Sequence, residues 1–162
     1  MLKRTLLLVS LDPKELQNLL DELRASRISR NSGFWFAFFD KDDAYATEAQ
    51  KKAHYIDAAT IIFPWPILYE TVNTTFAKHA FWMDQFERLL KRDNVKMIDD
   101  SAYRSDALRN VFFNYRKRPL ALCDMILRLV IDDATVRIDS LLTFNEKDFA
   151  DVCRARGVEI IY

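Results

Sequence analysis

The sequence predicts an α/β fold: a three-layer α/β/α sandwich around a central, mainly parallel sheet of about five strands. Three observations carry this reading. Short apolar runs alternate with longer helical patterns along the chain. Helical connections between strands imply right-handed crossovers, which make neighbouring strands parallel and cover both faces of the sheet. Half of the 162 residues are apolar and 13% are aromatic, enough for one domain with a real core.

Each element has its own signal. Residues 5–9 are a short apolar run that suits a strand. Asp12 then reads as an N-cap, with Pro13 at the first helical position and Glu15 in a box-like spacing. Leu16, Leu19, Leu20 and Leu23 make one apolar stripe. Residues 1–29 thus form an N-terminal extension, either a docking or dimer arm or a segment packed on the domain. Residues 28–31 are a weak strand leading into Ser32-Gly33. The aromatic run from Phe34 to Phe39 follows at helical spacing and reads as core, with base stacking as the alternative. Residues 44–53 suggest a polar, solvent-facing helix. A buried strand over 60–63 ends at Pro64, and a helix over 67–78 puts Leu68, Val72 and Phe76 on one face, with Glu70 off it. A helix over 79–93 has Phe81, Phe86, Leu89 and Leu90 as core. A strand over 95–98 ends in Asp99-Asp100, and a helix over 101–115 carries Tyr103, Leu108, Phe112 and Tyr115 as its apolar marks.

The stretch 120–149 organises the rest. Leu120, Cys123, Leu127 and Val130 recur at helical spacing. Asp124 falls on the same side, where a carboxylate is costly without a positive or donating partner. The alternative is an ordinary pairing with Arg128 at i+4. A strand over 139–144 follows, then a helix over 147–156 with Gly157 as its C-cap, then a strand over 158–162. Asn145 and Asp148 lie where a strand stops and a helix begins, a common position for an α/β site. Asp148 could equally serve only as a helix-start acid.

Composition excludes several classes. Twenty-four basic residues balance 24 acidic ones, so attraction to nucleic acid would need a local patch or metal ions. The single compact basic run is Arg116-Lys117-Arg118, which suits backbone phosphates or simply a solvated loop. Cys123 and Cys153 give neither a disulfide framework nor a zinc spacing, and fit a reducing compartment. His54 and His79 have no ligand or catalytic spacing. Only Gly33 and Gly157 occur, which removes Walker-type and Rossmann-type phosphate loops. The N-terminal apolar run is too short for a signal peptide, and no stretch approaches the length of a membrane span.

Asn31, Glu70, Asp124 and Asp148 occupy places just past strand ends or on helices that follow them. With the segments NSGFWFAFFDKDDAYATEA, PWPILYETVN, RKRPLALCDMIL and LLTFNEKDF, and the terminal VEIIY, they resemble the PIN-domain family of metal-dependent nucleases, which includes toxin ribonucleases. The resemblance covers about residues 27–162. It implies a Mg2+- or Mn2+-dependent endoribonuclease, a hydrolase whose cation is held by Asn31, Glu70, Asp124 and Asp148. Ser32 and Asn145 would support that set, and Arg116, Lys117 and Arg118 would meet RNA. It further implies a cytoplasmic protein, a homodimer, an RNA substrate and an antitoxin partner. Oxygen ligands are what such hard cations prefer. One position departs from the family: Asn31 stands where the family has an acid, leaving three carboxylates rather than four. Three readings stay open. The residue is natural and the enzyme weak or inactive; it was introduced to silence a nuclease; or the register is shifted and Asp12 supplies the charge. The remaining alternative is an inactive PIN-like module that binds RNA or protein.

Overall fold

The computed structural model describes residues 27–30, 32–73 and 75–161, with the backbone alone at 27–30 and at Ser32. The expected strand over 5–9, the Asp12 cap, the leucine stripe and Asn31 lie outside the described residues. Mixed α and β structure follows the expected order: β1 (Arg27–Arg30), α1 (Ser32–Phe39), α2 (Ala46–Lys51), α3 (His54–Ala58), β2 (Thr60–Pro64), α4 (Trp65–Thr71), a 3-10 turn (Phe76–Lys78), α5 (Ala80–Leu90), β3 (Val95–Ile98), α6 (Ser101–Asn114), α7 (Leu122–Asp132), β4 (Ser140–Leu142), α8 (Glu146–Arg156) and β5 (Glu159–Ile161).

Strand pairing is parallel throughout. β2 pairs with β3, Ile61 opposite Val95 and Pro64 opposite Ile98. β4 pairs with β5, Ser140 opposite Glu159 and Leu142 opposite Ile161. These are two parallel pairs of two strands each. The β1 backbone runs parallel to the inner strand of each, with Ile28 opposite Ile61 and opposite Ser140. Parallel strands put their carboxyl ends at one edge, so the segments after β2, β3 and β4 all start from that edge.

The aromatic run forms the densest packing. Phe34, Trp35 and Ala37 are fully buried. Trp35 stacks on Phe63 at 5.4 Å and meets Phe86 edge-on at 5.4 Å, while Phe76 meets Phe36 and Phe39 at 5.5 and 5.6 Å. Such pairs contribute about 0.5–1.5 kcal/mol each beyond the area they bury. The run is core, as its spacing predicts.

Three expectations need correction. The helix expected over 67–78 stops at Thr71. Asn73 turns the chain there: its side-chain oxygen accepts from the Thr75 and Phe76 amides, and its Nδ2 donates to the Glu70 carbonyl. A side chain that serves the backbone in this way competes with helix hydrogen bonds. Phe76 is still buried, but Val72 is exposed. Residues 44–53 are not one solvent-facing helix. α2 and α3 bury Ala46, Ala49, Tyr55 and Ile56. Finally, Phe81 on α5 and Leu108, Phe112 and Tyr115 on α6 are exposed, whereas α6 turns Ala107, and partly Tyr103 and Val111, to the core.

Candidate active site at the carboxyl edge of the strands

β2 runs into α4 with no loop, and Pro64 occupies the N-cap position with extended backbone. Pro66, with no amide hydrogen to lose, sits in the first turn. This abrupt start sets Glu70 near the C-terminal end of a seven-residue helix that packs on α7. α7 begins after Ala121 and carries Asp124 in its first turn, where a carboxylate also complements the helix dipole. Leu127 and Val130 are buried and Leu120 nearly so, so the predicted inward face is the observed one.

Cys123 joins the two helices. Burial, followed by the Glu70 charge and the thiol hydrogen bond to that carboxylate, pushes this thiol well above the usual range. Asp124 and Asp100 add to the same rise through their charges. Glu70 thus contacts the thiol directly, while Asp124, its neighbour in the chain, and Asp100 act on it through charge alone. Asp100 is the acid missed from sequence. Its residue is 2% exposed, at the N-cap of α6, and Arg104 one turn on binds it through two nitrogens at 2.9 and 2.6 Å. That bond raises the Arg104 pKa. The available signal was the pair Asp99-Asp100 at a strand end with an arginine at i+4.

Asp148 belongs to an adjoining, charge-balanced group. It lies in the first turn of α8, whose N-cap is Asn145. Asn145 is nearly buried. Its Nδ2 donates to the Asp148 carboxylate, and its amide donates to Thr143 Oγ1 at 3.1 Å. The Asp148 amide donates to the Asn145 carbonyl at 3.2 Å. Arg128 of α7 donates to the Asp148 carbonyl, and both its terminal nitrogens bind Asp151 at 2.7 Å. Arg118 binds the same carboxylate at 2.7 and 3.1 Å, and the Asp148 charge also helps to raise its pKa. Two guanidiniums, Arg128 foremost, hold Asp151 far below the usual carboxylate range. Arg128 thus takes its partners from α8 rather than standing as a simple i+4 mate of Asp124. Of the basic run, Arg118 is tied to α8, Arg116 lies over the Tyr115 ring at 5.4 Å, and Lys117 is exposed.

Among the described residues, no three His, Cys, Asp or Glu side chains are gathered as a metal site. The carboxylates nevertheless have the donor chemistry a hard cation takes: oxygen only, and anionic. His54 and His79 stay apart from this edge, His54 bonded to the Lys51 carbonyl at 2.9 Å and His79 stacked on Trp82. No helix among the described residues is long and apolar enough to cross a membrane. No family model and no curated protein matches the chain.

Proposed function

We propose that the chain is a PIN-like, metal-dependent endoribonuclease whose two parallel strand pairs join through β1 into one central sheet between helical layers. The observation that supports this best is that Glu70 contacts the Cys123 thiol and Asp124 acts on it through charge, at the end of the strands where the family has its acids. Glu70 and Asp124 would hold a Mg2+ or Mn2+ ion, with Asp148 and the amide oxygen of Asn31 as further oxygen donors. Such an ion, when bound, supplies an acidified water and neutralises charge on the phosphodiester. The protein's own part is positional. Asn145 orients the Asp148 carboxylate. Arg104 keeps Asp100 paired. Arg116, Lys117 and Arg118 would meet RNA phosphates. The neutral Cys123 thiol adds no charge to the cluster. A role as the toxin of a toxin–antitoxin pair, with an antitoxin partner, a homodimeric state and a cytoplasmic location, belongs to this reading and rests on the resemblance alone.

Asn31 favours a second reading, an inactive PIN-like module that binds RNA or protein, because an amide brings no negative charge to the ion. One experiment separates the two. Asp124→Asn is expected to lower manganese-dependent RNA cleavage by about 100-fold or more. Asn31→Asp is expected to raise it. Equal cleavage by the Asp124→Asn variant would overturn the nuclease assignment, and no cleavage by either the natural sequence or Asn31→Asp would favour the binding module.

A further inference from the structure

α6 presents two stripes. Tyr103, Ala107 and Val111 face the core, and Leu108, Phe112 and Tyr115 face solvent at the helical spacing. Phe112 is 70% and Phe113 82% exposed, values that no packing among the described residues explains. From Ala107 to Arg118 the chain holds four cations, Arg109, Arg116, Lys117 and Arg118, and no acid. Arg109 is paired with Asp106 and Arg118 with Asp151; Arg116 lies over the Tyr115 ring and donates to its hydroxyl at 2.7 Å, and Lys117 is exposed. On the side of α6 away from Phe112 opens a cleft of about 320 Å³ lined by Asn110, Asn114, Arg118, Arg128, Leu129 and Asp132, among others. Asn110 and Asn114 stand one turn apart and offer both donors and acceptors to whatever enters.

We propose that the C-terminal half of α6 and the residues up to Arg118 are a platform for single-stranded RNA, with bases stacked on Phe112, Phe113 and Tyr115 and phosphates met by Arg116 and Lys117. The proposal deepens the ribonuclease reading and rests on it for the choice of RNA. Charge and chemistry favour this occupant. Exposed rings beside cations are the two ingredients of single-strand binding, and stacking is tolerant of sequence. A second copy of the chain fits less well, since a two-fold contact would set Arg116 and Lys117, which have no acidic partner among the described residues, against their own copies.

The test is fluorescence anisotropy on the full chain, without divalent ion, against a labelled single-stranded RNA of about 12 nucleotides. Phe112→Ala with Phe113→Ala is expected to weaken binding about 10-fold or more while leaving the thermal midpoint unchanged. Arg116→Ala with Lys117→Ala should flatten the slope of log affinity against log salt by about 1.4. Unchanged affinity in the double phenylalanine variant overturns the proposal, as does the absence of RNA binding by the natural sequence. It is also overturned if that variant dissolves a dimer in sedimentation without loss of RNA affinity. The two readings fail separately. Loss of binding in the phenylalanine variant, with undiminished cleavage by Asp124→Asn, would leave the platform and remove the nuclease. Cleavage abolished by Asp124→Asn, with the phenylalanine variant binding normally, would do the reverse.

Discussion

α1 and α6 are both rich in aromatic residues, and they treat them in opposite ways. In α1 the rings fall on every side of a short helix enclosed by β2, the 3-10 turn and α5, so Phe34 and Trp35 vanish from solvent and even Phe36, Phe38 and Phe39 are partly covered. In α6 a small residue, Ala107, is the fully buried one, while Leu108, Phe112, Phe113 and the following Tyr115 stand in water. The difference lies in what separates the rings. α1 interleaves them only with Ala37, whereas α6 interleaves them with Arg104, Asp106, Arg109, Asn110 and Asn114. A helix with charges in every turn can enter the core only along a narrow face, and the remaining rings are left outside. Aromatic content marks where a ring can be used, and the polar neighbours decide whether that use is burial.

The sharpest way to break this comparison is truncation on each side of it. Phe86→Ala, at a side chain 1% exposed and in contact with Trp35 and Phe63, is expected to cost about 3–5 kcal/mol in urea unfolding. Next in size is Asp151→Asn. It removes the shared partner of Arg118 and Arg128, and Arg128 has a side chain only 15% exposed. Because Asp151 itself is 53% exposed, solvent screening limits the loss to about 1–2 kcal/mol. The pH dependence has a definite sign. The folded-state pKa of Asp151 is depressed, so its contribution is present above the unfolded value of about 3.9 and fades as pH falls below it. Acid unfolding of the natural sequence should therefore steepen below about pH 4, and the Asp151→Asn variant should lack that component. The smallest change expected is from Phe113→Ala, within about 0.5 kcal/mol, since the ring is exposed. A cost near that of Phe86→Ala would show that Phe113 is packed after all and would erase the contrast.

Much of the element order was legible because strands and helices here carry strong local punctuation. β3 lies at the expected 95–98, between Asn94 and Asp99. α6 and α8 end within a residue of the pattern, and Gly157 caps α8 in the left-handed conformation that glycine takes without cost. What failed has a physical cause. Val72 and Phe76 are spaced like helix neighbours, yet Asn73 diverts the backbone between them, and spacing cannot register a side chain bonding to amides two and three residues ahead. On α6 two apolar stripes compete, and periodicity does not say which one faces the core. Alanine was undervalued as a core residue at Ala46, Ala49 and Ala107. For the candidate site, Glu70 was expected on a helix after β2 and Asp124 on a helix with an apolar face, and they lie near the end of α4 and in the first turn of α7. Asp100 was not expected, because its burial depends on Arg104 covering it.

The seamless passage from β2 to α4 bears on how the pocket can respond to what it binds. With extended backbone at Pro64, helix from Trp65 onward and a second proline at Pro66, the junction has almost no torsional slack. The backbone that carries Glu70 is therefore set by the strand ladder through a stiff junction. After β3, by contrast, Asp99 and Asp100 form a two-residue link to α6, and Asp99 accepts from the Ser101 amide and hydroxyl.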